Sequence, residues 1–348
     1  MLDTTLSHPA RPARIGGMEE SAALTRGQAY VDAPLAKALV PLAARMPQIV
    51  GLTADLGRVT DMFPFRDAYP ERYFNVGMAE QNLFAVAAGL ARTGKIAFCT
   101  TFGVFASRRA YDFIAIAAAH SRLDVKVIGA KPGLTNSYGA THQPIEDTAL
   151  MRMIPGLGVI DPCDALEYMQ VVEAIATTPG PFYVRGLRGR VPVVLPDSYR
   201  FRIGEAAVLR QGSDVGVIAS GLMTGKALAV ADRLRASGVG VAVLHVPTIK
   251  PFPAQRVVEF AADHPRLVVA ENHRDSGGLI SLVAEAFCEH SLPRRFSKVA
   301  LADKFFDCGS EDYLEAKFGI DEASLERAVL ATLDAGRGSC TAVMREQP

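Results

Sequence analysis

Several side chains in the sequence are of types that bind a flat cofactor, move a proton or hold a phosphate. They are a carboxylate, two aromatic rings three residues apart, an imidazole and a guanidinium: Glu80, Phe102, Phe105, His142 and Arg188. Aromatic rings suit a flat heterocycle, imidazole exchanges a proton near neutral pH, and guanidinium binds phosphate oxygens in pairs. Each residue alone also has an ordinary explanation, such as a helix start for the glutamate or a solvated loop for the arginine. The elements that position them therefore have to be considered together.

Apolar strands and amphipathic helices alternate through most of the chain. In the first part we predict strands over 48–52, 96–100, 125–129 and 182–184, and helices over 78–92, 108–119 and 164–177, the last capped by Asp164. In the second part we predict strands over 215–219, 240–244 and 267–270, and helices over 223–237, 254–262 and 278–289. This alternation predicts α/β domains, each with a mostly parallel sheet flanked by helices. Such sheets bind ligands beyond the carboxyl ends of their strands.

The 348 residues suggest two such domains. Pro192, Pro196 and Gly204 mark a plausible linker between them. The divisions that we predict are a flexible arm over 1–21, a first domain over 22–192, a linker over 193–206, a second domain over 207–336 and a tail over 337–348.

Composition excludes several classes of protein. Lys+Arg and Asp+Glu both number 37, and this zero net charge argues against nucleic-acid binding. The five cysteines are scattered without a CxxC pair, which indicates neither a zinc site nor a disulfide framework. The sequence has no apolar run near the roughly 20 residues that span a bilayer. We therefore expect a cytoplasmic protein without metal ligands of its own.

Four segments resemble one protein family in their order and spacing. They are residues 74–82, 101–105, 139–147 and 183–192, which read FNVGMAEQN, TFGVF, GATHQPIED and YVRGLRGRVP. Together they are similar to the C-terminal portion of transketolases, particularly the separately encoded second subunits of split transketolases. The resemblance covers residues 22–335, and Thr-His-Gln-Pro is its most specific part. It implies a transketolase pyrimidine-binding domain followed by a transketolase C-terminal domain.

The resemblance implies thiamine diphosphate as cofactor and a role for each site residue. Thiamine diphosphate reacts through a carbanion on its thiazolium ring, and its own amino group becomes basic only in the imino form. A carboxyl group hydrogen-bonded to the pyrimidine nitrogen favours that form, and Glu80 is the family's candidate for it. The resemblance also implies that Phe102 and Phe105 pack against the aminopyrimidine. It implies that His142 contacts the substrate oxygen near the reacting carbon, so that Glu80 and His142 are the catalytic residues.

Further residues are assigned to cofactor or substrate by the same resemblance. Asp55 and Leu56 follow the first strand, where the family has an acidic residue and an apolar neighbour near the cofactor. Arg188 best fits the family's phosphate-binding arginine. Weaker phosphate or substrate candidates are Arg26, Lys131 and Tyr138.

The diphosphate end of the cofactor has no predicted site in this chain. In a full transketolase an upstream domain holds the diphosphate and a divalent metal through a Gly-Asp-Gly segment and a later asparagine. The sequence contains neither Gly-Asp-Gly nor a GxGxxG phosphate loop. We therefore expect magnesium or calcium to be bound mainly by a separate diphosphate-binding partner chain. We also expect self-association of this chain and a heterotetramer with two copies of each chain.

Three positions depart from the family pattern. Arg108 stands where the family often has a third aromatic residue, and Lys131 stands where it often has histidine. The run over 136–139 is one residue shorter and lacks the acid that usually reads a hydroxyl of the sugar donor. We therefore expect a non-standard sugar phosphate rather than the usual pentose phosphate pair.

The expected activity is transfer of a two-carbon ketol unit from a ketose phosphate to an aldose phosphate. Three alternatives stay open at this point. They are a β-subunit of a 2-oxo-acid dehydrogenase, a pyruvate-condensing enzyme like deoxyxylulose phosphate synthase, and a cofactor-free interaction subunit that has lost catalysis. Residues 141–144 and 185–190 favour the transketolase, and the presence of Glu80 and His142 argues against lost catalysis.

Overall fold

The computed structural model of the protein describes residues 29–343. The arm predicted over 1–21, Arg26 and the last residues of the predicted tail, 344–348, lie outside the described residues. Within 29–343 strands and helices alternate and form two α/β domains, each with a mostly parallel sheet flanked by helices. The predicted fold class is confirmed.

The part of the first domain that the structure describes, from residue 29, contains eight strands and five α-helices. The strands are β1 (Tyr30–Asp32), β2 (Ile49–Thr53), β3 (Tyr73–Asn75), β4 (Ile96–Phe102), β5 (Val125–Ala130), β6 (Gly158–Ile160), β7 (Phe182–Gly186) and β8 (Arg190–Pro192). The helices are α1 (Pro34–Arg45), α2 (Phe63–Ala68), α3 (Glu80–Arg92), α4 (Asp147–Arg152) and α5 (Ala165–Thr177). A 3-10 turn covers Pro70–Arg72, and π-helical segments cover Phe105–Arg109 and Phe113–Ala119.

The second domain follows with six strands and five helices among the described residues. The strands are β9 (Ala207–Arg210), β10 (Val215–Ala219), β11 (Val241–His245), β12 (Thr248–Lys250), β13 (Leu267–Arg274) and β14 (Ser297–Leu301). The helices are α6 (Leu222–Arg235), α7 (Ala254–Asp263), α8 (Leu279–Glu289), α9 (Glu311–Phe318) and α10 (Glu322–Val343). Helix α10 continues past Gly336, where the sequence suggested a loose tail, and every helix within 29–343 is too short or too polar to cross a membrane.

The sheet of the first domain has the strand order β12-β6-β7-β5-β4-β2-β3. Strands β7, β5, β4 and β2 run parallel and every residue in them is buried, because helices cover both faces of the sheet. Their carboxyl ends therefore lie side by side at one edge. The second sheet has the order β14-β13-β10-β11-β9, with antiparallel β9 outermost.

Helix α5 illustrates how the sequence fixes the packing of the first sheet. Its predicted cap is confirmed, since the carboxylate of Asp164 accepts a hydrogen bond from the backbone N–H of Glu167 at 2.7 Å. Tyr168, Val171 and Ile175 are fully buried and recur at helical spacing. They belong to the apolar core that α5 and α1 form on one face of the sheet.

The helix predicted over 108–119 is wrong in type and in where it begins. Two π-helical segments replace it, and the first begins at Phe105. The hydroxyl of Ser107 donates to the Gly103 carbonyl at 2.7 Å in this wider turn. Alanine-rich sequence fits α and π periods alike, so the pattern could not distinguish them. Such segments are frequent at functional sites.

The two domains share the first sheet. Strand β12 of the second domain pairs antiparallel with β6, with Thr248 opposite Ile160. The stretch over 193–206, which was predicted as the linker, contains no described helix or strand. The second domain thus supplies the edge strand of the first.

An arginine stands at the centre of the buried junction between the domains. Arg185 on β7 donates to both carboxylate oxygens of Asp147 at 3.0 Å and to Asp161 at 3.2 Å. It also donates to the backbone carbonyl of Asn272 in β13 at 2.9 Å. Every nitrogen of the guanidinium therefore has a partner, and although burial lowers its pKa, the charges of Asp147 and Asp161 leave that pKa raised.

A second buried group at the junction surrounds Glu167 of α5. Its carboxylate accepts from the Tyr199 hydroxyl at 2.6 Å and from the Cys163 N–H at 2.7 Å, and it lies 2.9 Å from Nε2 of His245. Cys163, Glu167 and His245 could offer metal ligands within 4.8 Å of one another. However, the carboxylate is already occupied, and burial first, then Glu167, raises the pKa of the Cys163 thiol. The group joins the two domains through hydrogen bonds.

Candidate active site

The predicted site residues lie just beyond the carboxyl ends of the central parallel strands. Phe102 is the last residue of β4, and Lys131 follows the end of β5. Arg188 comes two residues after β7, and Asp55 comes two residues after β2. Because these strands are neighbours, their ends place side chains from distant parts of the chain at one edge, where α/β sheets bind ligands.

Four rings meet at this edge. The ring centroids of Phe102 and Phe105 are 5.9 Å apart, and His142 lies edge-on to Phe105 at 5.2 Å and to Phe102 at 6.1 Å. Tyr138 lies edge-on to His142 at 5.3 Å. Leu56 packs against the small apolar cluster that contains Phe102. The structure thus brings together the aromatic, histidine and leucine candidates, while their roles stay a prediction.

Glu80 is the first residue of α3 and only 4% exposed. Among the described residues its carboxylate accepts no side-chain hydrogen bond, and its one ion-pair contact is Nη1 of Arg109 at 3.6 Å. The Arg109 guanidinium in turn lies 4.3 Å from the centroid of the Phe105 ring. Glu80 is therefore held beside the aromatic wall with its oxygens free to meet a donor.

Sequence reasoning overlooked Arg109. The signal that could have found it is the pair of adjacent arginines, Arg108 and Arg109, directly after the two phenylalanines. The contact with Glu80 spans separate elements of the chain, so only the fold reveals it.

The imidazole of His142 is half-buried among these rings. Its Nδ1 lies 2.8 Å from the hydroxyl of Thr141, and Nε2 has no hydrogen-bond partner within residues 29–343. Burial and, second, the positive charge of Arg109 lower the pKa of His142. The neutral imidazole therefore predominates at neutral pH, with Nε2 available to a ligand.

Arg108 occupies the position where a third aromatic wall was expected. Its guanidinium makes a bidentate pair with the carboxylate of Glu146, and Nη2 to Oε2 measures 2.9 Å. It also donates to the backbone carbonyls of Ala140 at 3.0 Å and Gln143 at 3.2 Å. Arg108 thus faces the loop that carries His142.

Asp55 is exposed and adopts a left-handed backbone conformation with φ of 59°. Its carboxylate accepts from the Asn75 amide at 3.0 Å, while the Asn75 side-chain oxygen accepts from the N–H groups of Asp55 and Gly77. These bonds fasten the end of β2 to the segment that leads into Glu80. The structure therefore gives Asp55 a local partner, and its contact with the cofactor stays a prediction.

Arg188 and Lys131 form the cationic side of the site. Nε and Nη1 of Arg188 are buried and have no hydrogen-bond partner among the residues that the structure describes. Lys131 donates to the Thr135 carbonyl at 2.9 Å, and its pKa is lowered by burial first and by the charge of Arg188 second. A guanidinium with two buried, unused nitrogens beside a second cation is suited to an anionic group.

The site is open toward the exterior of this chain. Met78, two residues before Glu80, is 83% exposed, and Ile116 in the second π-helical segment is 61% exposed. A groove of about 350 Å³ bordered by Leu42 and Met169 lies elsewhere on the described part of the chain. Exposed apolar side chains beside an open site indicate a surface that another chain covers.

Comparison with known proteins gives the same assignment for both domains. Residues 29–193 match the transketolase pyrimidine binding domain, and residues 204–325 match the transketolase C-terminal domain. A putative uncharacterized transketolase family protein of Sinorhizobium fredii, y4mN, is 45% identical over 93% of this chain and 98% of its own length.

One further relative is named as a transketolase subunit, and one solved structure is described as a split gene transketolase. The 6-deoxy-6-sulfo-D-fructose transketolase subunit SqwH of a Clostridium species is 38% identical over 86% of this chain and 91% of its own length. A solved structure described as a split gene transketolase, inactive beta4 tetramer, superposes with a TM-score of 0.80. It is 40% identical and covers 87% of this chain and 97% of that chain. The family predicted from the four segments is confirmed.

Proposed function

Because the chain belongs to the transketolase family, we propose that it works as the pyrimidine-side subunit of a split transketolase. With a partner chain it transfers a two-carbon ketol unit from a ketose phosphate to an aldose phosphate. The observation that carries this proposal is the convergence of Glu80, Phe102, Phe105 and His142 at one sheet edge. The alternatives of a dehydrogenase subunit, a pyruvate-condensing enzyme or an inactive interaction subunit gain no support from these relatives.

The residues present fit thiamine diphosphate, which supplies the carbanion chemistry when it is bound. Glu80 has free carboxylate oxygens in a buried position, where its carboxyl group would hydrogen-bond the pyrimidine ring nitrogen. Phe102 and Phe105 offer flat faces to a flat ring and exclude water from it. Leu56 extends the same apolar wall.

His142 acts on the substrate in this proposal. Because Nδ1 is engaged by Thr141, Nε2 is the atom that holds or moves a proton at the substrate oxygen near the reacting carbon. The lowered pKa of His142 keeps the imidazole neutral at the start, so it can donate or accept there.

Arg188 and Lys131 bind the anionic end of the sugar substrate in this proposal. The unused nitrogens of Arg188 match the paired oxygens of a phosphate. Tyr138 belongs to the shortened run that lacks the family's hydroxyl-reading acid, and it is 54% exposed beside His142. We infer a branched, modified or shorter ketose phosphate rather than xylulose 5-phosphate. SqwH, named for a sulfo-sugar, is a relative with a non-standard substrate.

A partner chain completes the site in this proposal. It holds the diphosphate and the divalent metal through a Gly-Asp-Gly segment, which this sequence lacks. Two copies of each chain form a heterotetramer with two active sites. The solved split gene transketolase, described as an inactive beta4 tetramer, fits a chain that self-associates but needs its partner for activity.

The test is reconstitution with the diphosphate-binding chain. We expect tight, metal-dependent binding of thiamine diphosphate and donor cleavage only in the mixture, with better turnover of modified or shorter ketose phosphates than of xylulose 5-phosphate. Turnover by this chain alone would overturn the split-enzyme proposal. Carbon dioxide release from pyruvate in preference to ketol transfer would replace the transketolase by a condensing or dehydrogenase activity.

A further inference from the structure

The loop that carries His142 is fastened at both sides of the histidine by one arginine. Arg108 donates to the carbonyl of Ala140, two residues before His142, and to that of Gln143, one residue after it. The same guanidinium forms a bidentate ion pair with the carboxylate of Glu146 at the end of the loop. One side chain thus fixes three points of a seven-residue turn.

The backbone of Arg108 connects it to the aromatic wall. Arg108 lies three residues after Phe105 within the same π-helical segment. The Phe105 and His142 rings lie 5.2 Å apart, and the side chain of Arg108 is a connection between the segments that carry them. Arg108 itself contacts none of the four rings in the described contacts.

We propose that Arg108 is a positioning residue that holds His142 at its place against Phe105. It does so through hydrogen bonds to the loop, whereas an aromatic residue at this position could act only by packing. This proposal rests on the proposed function only for the part that concerns turnover. A planar guanidinium suits the role because it presents several donors in fixed directions, which lysine cannot do.

The expected sizes of the effects on stability and on turnover distinguish a positioning role of Arg108 from a role in stabilising the fold. The side chains of Arg108 and Glu146 are 29% and 25% exposed, and ion pairs near the surface contribute little to stability. Other bonds also hold the loop, since the Gln143 amide donates to the carbonyls of Asn136 and Asp307 at 3.1 Å. Loss of Arg108 should therefore leave the fold intact and loosen the loop locally. A displacement of about 1 Å at a catalytic group can reduce turnover roughly 100-fold.

The first measurement needs no activity. Hydrogen exchange of the full chain should show faster exchange over residues 139–146 in Arg108→Met than in the wild type. Arg210→Met is the matched control, because Arg210 makes a similar bidentate pair with Asp232 at 2.8 and 2.9 Å in the second domain. Unchanged protection of the loop in Arg108→Met would overturn the proposal, whatever the enzyme's substrate proves to be.

The second measurement asks whether the effect on turnover passes through His142. In the reconstituted enzyme we expect Arg108→Met to lower kcat by about 10- to 100-fold with little change in KM, and Arg108→Lys to recover part of it. In a His142→Ala background the same substitution should cost nothing further, since residues that act as one unit are not additive. An equal loss in both backgrounds, or full kcat in Arg108→Met, would contradict a positioning role.

Discussion

The domain junction and the candidate active site are both rich in charged side chains, but they differ in how those charges are used. At the junction, Arg185 directs its donors to Asp147, Asp161 and a backbone carbonyl, and all of these groups are buried. At the site, Arg188 keeps two buried nitrogens without a partner in the described chain. The two arginines are three residues apart in one sequence motif.

These two arginines share a residue type and a sequence motif, but they differ in whether their buried guanidinium nitrogens have hydrogen-bond partners in the described chain. Folding fills the bonds of a charge that it buries permanently, because an unpaired buried ion is costly. The carboxylate of Glu80 and Nε2 of His142, which we propose to contact the cofactor and the substrate, likewise have no hydrogen-bond partner among the described residues. The contrast can be tested by substituting residues on each side of it.

The largest effect is expected from the site. Glu80→Gln should reduce turnover of the assembled enzyme by roughly 10²–10⁴-fold, the contribution of a positioned acid–base group. Its unfolding midpoint should be close to that of the wild type, since the carboxylate has no strong partner. Glu173→Gln is the control, because Glu173 pairs with Arg45 at 3.0 Å on the outer surface. Near-normal activity of Glu80→Gln in a donor-cleavage assay would refute its assignment.

The junction should show the opposite pattern. Arg185→Met leaves Asp147 and Asp161 buried without their cation, and we expect a loss of roughly 3–5 kcal/mol in the free energy of unfolding. Arg233→Met is the control, because Arg233 also pairs with two acids, Glu322 and Glu326, but on the surface. That control should cost less than about 1 kcal/mol in denaturant titrations. An equal loss of unfolding free energy in Arg185→Met and Arg233→Met would contradict the distinction between the buried junction and a surface ion pair.

A smaller effect is expected at the anion side of the site. Arg188→Met removes charge-assisted hydrogen bonds worth roughly 1.5–3 kcal/mol, so KM for the sugar phosphate should rise about 10- to 100-fold with a smaller change in kcat. The neighbouring Arg190, which is exposed and lies over the Tyr30 ring at 4.6 Å, provides the control Arg190→Met. A rise in KM in both variants would indicate a general loss of positive charge instead.

The smallest effect concerns pH. If catalysis requires the neutral imidazole of His142, kcat is retained at pH values above the pKa of His142. It is lost as the pH falls through that pKa. Because burial and Arg109 lower that pKa, activity should persist below the ordinary range of histidine. Arg109→Met should move the acid limb of the kcat profile to higher pH, and Arg109→Lys should move it less. An acid limb that stays in place in Arg109→Met would exclude this coupling.

The sequence predicted most strands and long helices because their apolar residues recur at clear periods. Strand β4 and helix α5 are examples, the first fully buried and the second capped by Asp164. Three-residue strands such as β6 and β12 carry too few residues for a period. Their pairing also joins segments far apart in the chain, which no local pattern encodes.

The sequence predicted most residues of the candidate site, but it missed Arg109 and did not predict how the residues contact one another. Glu80, Phe102, Phe105 and His142 came from motifs, and the structure brings them to one edge. From the sequence, Arg108 indicated only that an aromatic residue was absent. Its ion pair could not be predicted, because its partner Glu146 is 38 residues away in the chain. Long-range pairing of this kind depends on how the loops close over the sheet, and it appears only once the fold is known.

Strand β12, which the second domain contributes to the first sheet, has a consequence for synthesis on the ribosome. Strand β6 has β7 on one side, and its other side is covered only by β12, which ends at Lys250. Residues 29–193 can emerge from the exit tunnel with this edge still bare, and bare edges pair readily with other chains. The edge of β6 is covered once Thr248–Lys250 have left the tunnel and paired with it, so the nascent chain exposes this edge until that stage of synthesis.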